Sequence, residues 1–254
     1  MLWTSLIRGF TALCLPPECR LCRVSLASEP VDGLCLGCRK DLTADWLPVC
    51  PRCAATVGPH LDQLPDCALC RSEGYVFERT LRLGVYAGEL KRAVRLCKSG
   101  ERAGLLLSLA DLFWERHEAA LRAEQFAVVT AVPSPWWRRL TRWCDPATTL
   151  AEHLAGKLQV PFDPDLLRKV QRVPRQATLN PTARRTNVRR AFRGDSRVAL
   201  EASTVLLVDD VMTTGATANA CARQLRAIGA GRIVVAAIAR GLGQARLAEE
   251  SPPR

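Results

Sequence analysis

Acidic residues are scarce in this chain. Asp and Glu number 25 against 36 Lys and Arg, a formal net charge of +11, and residues 166–194 carry no carboxylate at all. Such a balance favours an acidic partner, whether nucleic acid, anionic lipid or a phosphate-rich ligand, over a merely basic and soluble surface. Long apolar runs are missing too. The nearest approach, residues 2–15, is interrupted by Arg8, is followed by no small-residue cleavage site, and is too short to span a bilayer. No membrane span and no secretion signal are therefore expected, and a cytoplasmic protein is. Histidine is limited to three residues. His60 reads as a loop residue, His117 as a surface residue and His153 as structural or exposed, so none is expected to be a metal ligand.

Cysteine, by contrast, is abundant. Eight of the twelve form four Cys-x-x-Cys pairs: Cys19/Cys22, Cys35/Cys38, Cys50/Cys53 and Cys67/Cys70. Disulfide scaffolds belong to secreted chains, so metal-bound thiolates are the better reading. Each pair can offer two thiolates to one ion, and two pairs complete a closed, structural tetrahedral site. The simplest arrangement is sequential, with two zinc ions, one on Cys19, Cys22, Cys35 and Cys38 and one on Cys50, Cys53, Cys67 and Cys70. An interleaved pairing is the alternative. So short a segment has few apolar residues, and metal binding would supply much of its folding free energy. Cys14 is left over.

Four regions are expected: an amphipathic segment over 1–17 (Trp3, Leu6, Ile7 and Phe10 at helical spacing), a double cysteine module over 18–74, an α/β domain over 75–241 and a disordered polar tail over 242–254. Within the α/β domain, Thr80–Ala87 alternates like a strand. A helix follows from Leu90, with Ala93, Val94 and Cys97 on one side, and stops at Ser99-Gly100. Lys98, beside that break, could reach an anion, but an ordinary exposed lysine is the preferred reading. A second helix over 101–123 carries Leu105, Leu106, Leu109, Leu112 and Phe113. Phe126–Val132 is an apolar strand, and Asp145 caps a further helix with Pro146 at its first position.

Residues 204–218 organise the rest. Val205 to Val208 form an unbroken apolar run, as suits a strand buried on both faces of a parallel sheet. The run ends in Asp209 and Asp210, and then a turn of Val211, Met212, Thr213, Thr214, Gly215, Ala216 and Thr217 leads into a helix. A loop at the carboxyl end of such a strand is where open α/β sheets bind ligands. Gly215 permits a tight turn. The free amides of the helix start attract phosphate, and the threonine hydroxyls add donors. The two carboxylates suit sugar hydroxyls instead. Phosphate on one side and a diol on the other describe a ribose 5-phosphate.

Val208-Asp209-Asp210-Val211-Met212-Thr213-Thr214-Gly215-Ala216-Thr217 resembles the 5-phosphoribosyl-1-pyrophosphate (PRPP) motif of the type I phosphoribosyltransferases. That likeness implies a parallel sheet flanked by helices, acids that hold the ribose 2′- and 3′-hydroxyls, a loop that holds the 5′-phosphate, and Mg²⁺ arriving with PRPP. It also implies that the loop after the 126–132 strand, with Pro133, Ser134, Pro135, Arg138 and Arg139, meets pyrophosphate. The interleaving of Trp136 and Trp137 with arginines equally suits stacking of single-stranded bases. Arg184, Arg185, Arg189 and Arg190 would contact nucleic acid or another anion in a salt-sensitive way.

Nearly the whole chain resembles the ComF family. The likeness rests on an N-terminal double zinc ribbon over 18–74 with Cys50-Pro51-Arg52-Cys53, on Val132-Pro133-Ser134-Pro135 followed by Arg138-Arg139-Leu140, on the spaced series Gln176, Leu179, Arg184, Asn187, Ala191 and Phe192, and on 204–218. It implies a bacterial cytoplasmic protein that processes single-stranded DNA during uptake, or one that performs a phosphoribosyl-linked step on an acceptor the sequence does not identify. A third and weaker reading makes the cysteine module a docking surface for a protein partner such as a DNA-uptake helicase. Where the family usually reads Arg-Gly-Phe-Asn-Gln, this chain has Arg142-Trp143-Cys144-Asp145-Pro146, so the amide side chains of that motif are gone.

Overall fold

The computed structural model describes residues 17–26, 33–45, 47–57, 67–100, 102–134, 145–170, 191–195, 197 and 199–241. The expectations for the amphipathic segment, Pro135–Cys144, the arginines from 184 to 190 and the tail lie outside these residues.

Four parallel strands make the central sheet: β1 (Arg79–Val85), β2 (Phe126–Ala131), β5 (Thr204–Met212) and β6 (Arg232–Arg240). Their order is β1-β6-β5-β2, with the two most apolar strands in the middle. Among the described residues six helices accompany them: α1 (Leu36–Thr43), α2 (Ala68–Glu73), α3 (Gly88–Ser99), α4 (Ala103–Arg122), α5 (Pro146–Leu158) and α6 (Ala216–Ala227). The expected α/β class is borne out.

Side chains alternate across β5 and β6, and each face builds its own core. Leu206, Val208, Val234 and Ala236 join α3, α4 and α5. Val205, Leu207, Val235 and Ala237 join α6. The small face of α6, Ala218, Cys221 and Ala222, is fully buried, which allows the helix to approach the sheet closely.

The cysteine modules are split between the two faces. Cys19, Cys38 and Leu42 belong to the α3/α4 side, whereas Cys50, Cys53, Cys67 and Cys70 belong to the α6 side. Arginines bind the modules to the sheet. Arg20 Nη1 donates to Gly104 O and Ser108 Oγ, each at 3.0 Å, and Arg102 Nη1 donates to Arg20 O at 2.8 Å. Arg82 donates to Ala54 O at 2.7 Å and to Thr56 Oγ1 at 3.1 Å, and pairs with Asp45 at 2.7 Å. Arg116 donates to the carbonyls of Leu83 and Asp45. Part of the basic excess is thus used internally, where guanidinium forks satisfy loop carbonyls.

Three local readings change. The strand carrying the acids continues past them to Met212, because β6 supplies partners as far as Met212↔Arg240. Asp145 stands at the N-cap position of α5, but its side chain makes no cap bond and accepts the Ser134 hydroxyl instead. His117 is a packed residue. Its ring meets Phe113 at 4.8 Å between centroids and bonds Arg82 O at 2.8 Å, and burial pushes its pKa down to about 4. The basic stretch also begins and ends in a short antiparallel pair, β3 (Leu167–Lys169) and β4 (Phe192–Gly194), which three-residue strands do not announce in sequence.

Candidate ribose-phosphate site and cysteine centres

Asp209 and Asp210 stand near the carboxyl end of β5, where the sheet meets the turn into α6. Asp209 is only 8% exposed. Its Oδ1 accepts the amide of Asp210 at 2.8 Å, and Asp210 Oδ1 accepts the amide of Val211 at 2.6 Å. Burial, and then the neighbouring Asp210 charge, hold the Asp209 carboxyl well above the ordinary carboxylate range. The nearby cation is Lys98, from the last turn of α3, whose Nζ lies 2.7 Å from Asp210 Oδ2. Of the two readings of Lys98, the ordinary exposed lysine gives way to the anion contact: helix α3 delivers it to the acid pair.

Gly215 has φ +78° and is the N-cap of α6, with no side-chain cap bond at that end. Thr213 and Thr214 are exposed, and Thr214 Oγ1 takes the Ala216 amide at 3.3 Å. Twelve-residue α6 therefore presents an open positive terminus beside the acids. On the other flank Ala131 of β2 pairs with Val208, and Val132 N donates to Val208 O at 2.8 Å. This register leads the chain into Pro133 and Ser134 at the same carboxyl edge of the sheet as Asp209. The structure thus brings together the acids, the 211–217 turn, Pro133 and Ser134. Pro135, Trp136, Trp137, Arg138 and Arg139 are outside the described residues.

Other contributors escaped the sequence reading. Tyr75 donates its hydroxyl to Thr214 O and lays its ring on Gly215, where an added Cβ would meet ring atoms at 3.1 Å. Burial raises the Tyr75 pKa, so the hydroxyl stays a donor. Buried Asn219 accepts the Val76 amide at 2.9 Å. Arg240, 0% exposed, donates to Met212 O at 3.0 Å. No local pattern marks these residues, since each acts through a partner remote in sequence.

The cysteines gather in the sequential sets: Cys19, Cys22, Cys35 and Cys38 in one, Cys50, Cys53, Cys67 and Cys70 in the other, with all sulfurs of a set within 4.8 Å of one another. A tetrahedral ion with Zn–S near 2.3 Å requires sulfurs about 3.8 Å apart. Cys22–Cys35 at 3.7 Å, Cys50–Cys70 at 3.6 Å and Cys53–Cys67 at 3.5 Å match that edge. Both sets could hold zinc. They differ in shelter: Cys22 is exposed and Cys35 half-buried, whereas the second set is wholly buried. A chromogenic chelator should accordingly release zinc in two phases, the first at least roughly tenfold faster, as exposed ligands open more readily than buried ones. Cys22→Ser should remove the fast phase alone. Release in a single phase from the intact protein would contradict this order.

No helix among the described residues is long and apolar enough to cross a membrane.

A Phosphoribosyl transferase domain family matches residues 146–253. Competence protein F of Haemophilus influenzae is 27% identical over 227 residues, covering 88% of this chain and 96% of its own length. DNA utilization protein YhgH of Salmonella typhi is 27% identical over 233 residues, covering 91% of this chain and 100% of its own. Among solved structures, adenine phosphoribosyltransferase from Saccharomyces cerevisiae overlaps 55% of this chain and 69% of its own, at 22% identity and a TM-score of 0.37. The chain thus matches a phosphoribosyltransferase domain over its C-terminal part and is similar along nearly its whole length to proteins named for competence and DNA utilization, in keeping with its resemblance to the ComF family.

Proposed function

We propose that the protein binds PRPP with Mg²⁺ at the carboxyl end of β5 and transfers its phosphoribosyl group to an acceptor. The observation that carries this reading is the acid pair, buried Asp209 and half-buried Asp210, standing beside the N-terminus of α6. Ionised Asp209 and Asp210 accept the ribose hydroxyls. The amides and hydroxyls of Thr213–Thr217 take the 5′-phosphate. Pro133 and Ser134 open the loop that, with Pro135, Arg138 and Arg139, would meet the diphosphate, and stabilising that leaving group would be the main catalytic contribution. Lys98 keeps two adjacent acids tolerable before ligand arrives and then turns to the diphosphate. Magnesium arriving with PRPP would supply neutralisation of the diphosphate charge.

Calorimetry of Mg²⁺–PRPP binding to zinc-loaded protein tests this. Binding should occur, should be lost in Asp209→Ala, and should weaken about tenfold in Lys98→Ala, the loss of one charge-assisted contact. An intact protein that does not bind would sink the transferase reading.

A second reading, a single-stranded DNA-binding or processing factor without turnover, is favoured by the names of the relatives, by the arginine-rich 166–194 stretch and by the Trp136-Trp137 run. Here Asp209→Ala would leave DNA affinity intact while replacement of Arg184, Arg185, Arg189 and Arg190 would reduce it. Joint loss of both ligands in Asp209→Ala would mean one pocket serves both.

A further inference from the structure

The second cysteine set lies against the 213–215 turn and reaches it by two separate routes. From the first knuckle, Cys53 O accepts Arg240 Nε at 2.9 Å, and the same guanidinium donates through Nη1 to Met212 O at 3.0 Å and Gly241 O at 3.3 Å. Met212 is the last residue of β5 before the turn. From the second knuckle, Cys70 O accepts the Gly74 amide at 3.1 Å, closing α2. Gly74 O in turn accepts from Asn219 Nδ2 at 3.4 Å and Arg223 Nη2 at 3.0 Å. The next residue, Tyr75, grips Thr214 O and covers Gly215. One route fixes the strand end and the other fixes the turn with the first residues of α6.

Among the described residues the first set has no such reach. Its module bonds to Gly104 and Ser108 on α4, across the sheet.

The charge of Arg240 points the same way. Its side chain is fully buried and one of its nitrogens, Nη2, has no hydrogen-bond partner. Among the described residues it meets no carboxylate, whereas the other buried arginine, Arg82, has Asp45. A buried guanidinium needs a compensating anion. A divalent ion on four thiolates is a net dianion, and the carbonyl that Arg240 holds belongs to one of those cysteines. The filled centre supplies the missing counter-charge, and hydrogen bonds of this kind around a metal orient what lies beyond it.

We propose that the second cysteine centre is the positioning element of the phosphate turn, with Arg240 and Tyr75 as its two positioning residues, so that its metal occupancy sets the anion affinity of the turn. The affinity half of this statement rests on the PRPP reading; the positioning half does not.

Hydrogen exchange read by mass spectrometry on the full-length protein separates the two. Tyr75→Phe deletes one hydroxyl and keeps the ring. It should retain both zinc ions and an unchanged thermal midpoint, while amides 213–217 exchange roughly five- to tenfold faster, the loss of one hydrogen bond. Stripping the slowly released zinc should accelerate the same amides, and stripping only the fast ion should not. Unchanged exchange at 213–217 after Tyr75→Phe and after removal of the slow ion would overturn the proposal. Mg²⁺–PRPP affinity should fall in parallel with the exchange change. Wild-type protein that ignores PRPP but shows the exchange pattern would remove the transferase reading and leave the positioning role standing.

Discussion

Replacing Asp209 by Asn should make the protein more stable and unable to hold PRPP. Asp209 is buried and shares its position with Asp210, so its folded pKa lies above the unfolded value of about 3.9. The folded state then binds the proton more tightly than the unfolded one. Its contribution to stability is fully present below the unfolded pKa and is lost as pH rises through the folded pKa. Above that point the buried carboxylate opposes folding. Asn keeps the oxygen that accepts the Asp210 amide and carries no charge. The Asp209→Asn variant should therefore give a midpoint close to wild type near pH 4 and a higher one at pH 8. The expected gain is about 1 kcal/mol, typical of relieving a site kept for function, or roughly 2–4 °C for a domain of this size. The same sign governs binding. Ribose hydroxyls donate to ionised Asp209, so affinity for Mg²⁺–PRPP should rise with pH through the folded pKa, and binding should release a proton. Calorimetry in two buffers of different ionisation enthalpy reads that proton. A midpoint at pH 8 below that of wild type would show that Asp209 serves the fold rather than a ligand.

The acid pair and the turn were legible in sequence because their signals are local. Four apolar residues, two acids and a threonine-glycine turn have the same neighbours in the chain as in space. The cysteine sets were legible by spacing, and the structure selects the sequential grouping over the interleaved one. What was not legible depends on register. Nothing around Lys98 says that the last turn of α3 ends at Asp210. Nothing around Tyr75 says that a residue after the last knuckle covers Gly215. The net charge misled in part, since Arg20, Arg82, Arg102, Arg116 and Arg240 serve loop carbonyls instead of solvent or ligand. His117 read as exposed because a helix pattern of this length does not reveal which of its flanks β1 will cover.

The largest loss of stability should come from a residue far from the site, Gly231. It precedes β6 at the amino end of the sheet, and its amide donates to Ser203 O at 2.9 Å. A Cβ there would lie 2.5 Å from the carbonyl carbon of Ala202 and 2.9 Å from its Cα, and closer still to the carbonyl oxygen. These are backbone atoms, and they cannot swing aside as a side chain can. Ala202 N is bound to Gly229 O at 2.9 Å, Ser203 N to Leu200 O at 2.7 Å, and Leu200 N to Ile228 O at 3.1 Å. The 200–203 turn is already strained, with Glu201 at φ +44° and Ala202 at φ +62°. Gly231→Ala must therefore break this turn or shift the start of β6, which is central in the sheet. A loss of about 3–5 kcal/mol is expected, a fall in midpoint of roughly 10 °C. Gly215→Ala differs in kind. There the obstacles are a left-handed φ and the ring of Tyr75, so anion binding should suffer more than the fold. Ala202→Gly alone should raise the midpoint slightly by removing left-handed strain of about 1 kcal/mol. Combined with Gly231→Ala it should not rescue, because the obstructing atoms are the carbonyl and Cα that glycine also has. Thermal melts of the three variants decide the matter: rescue by Ala202→Gly would mean that the 200–203 backbone can yield, and that the two central strands tolerate a register the native hydrogen bonds do not allow.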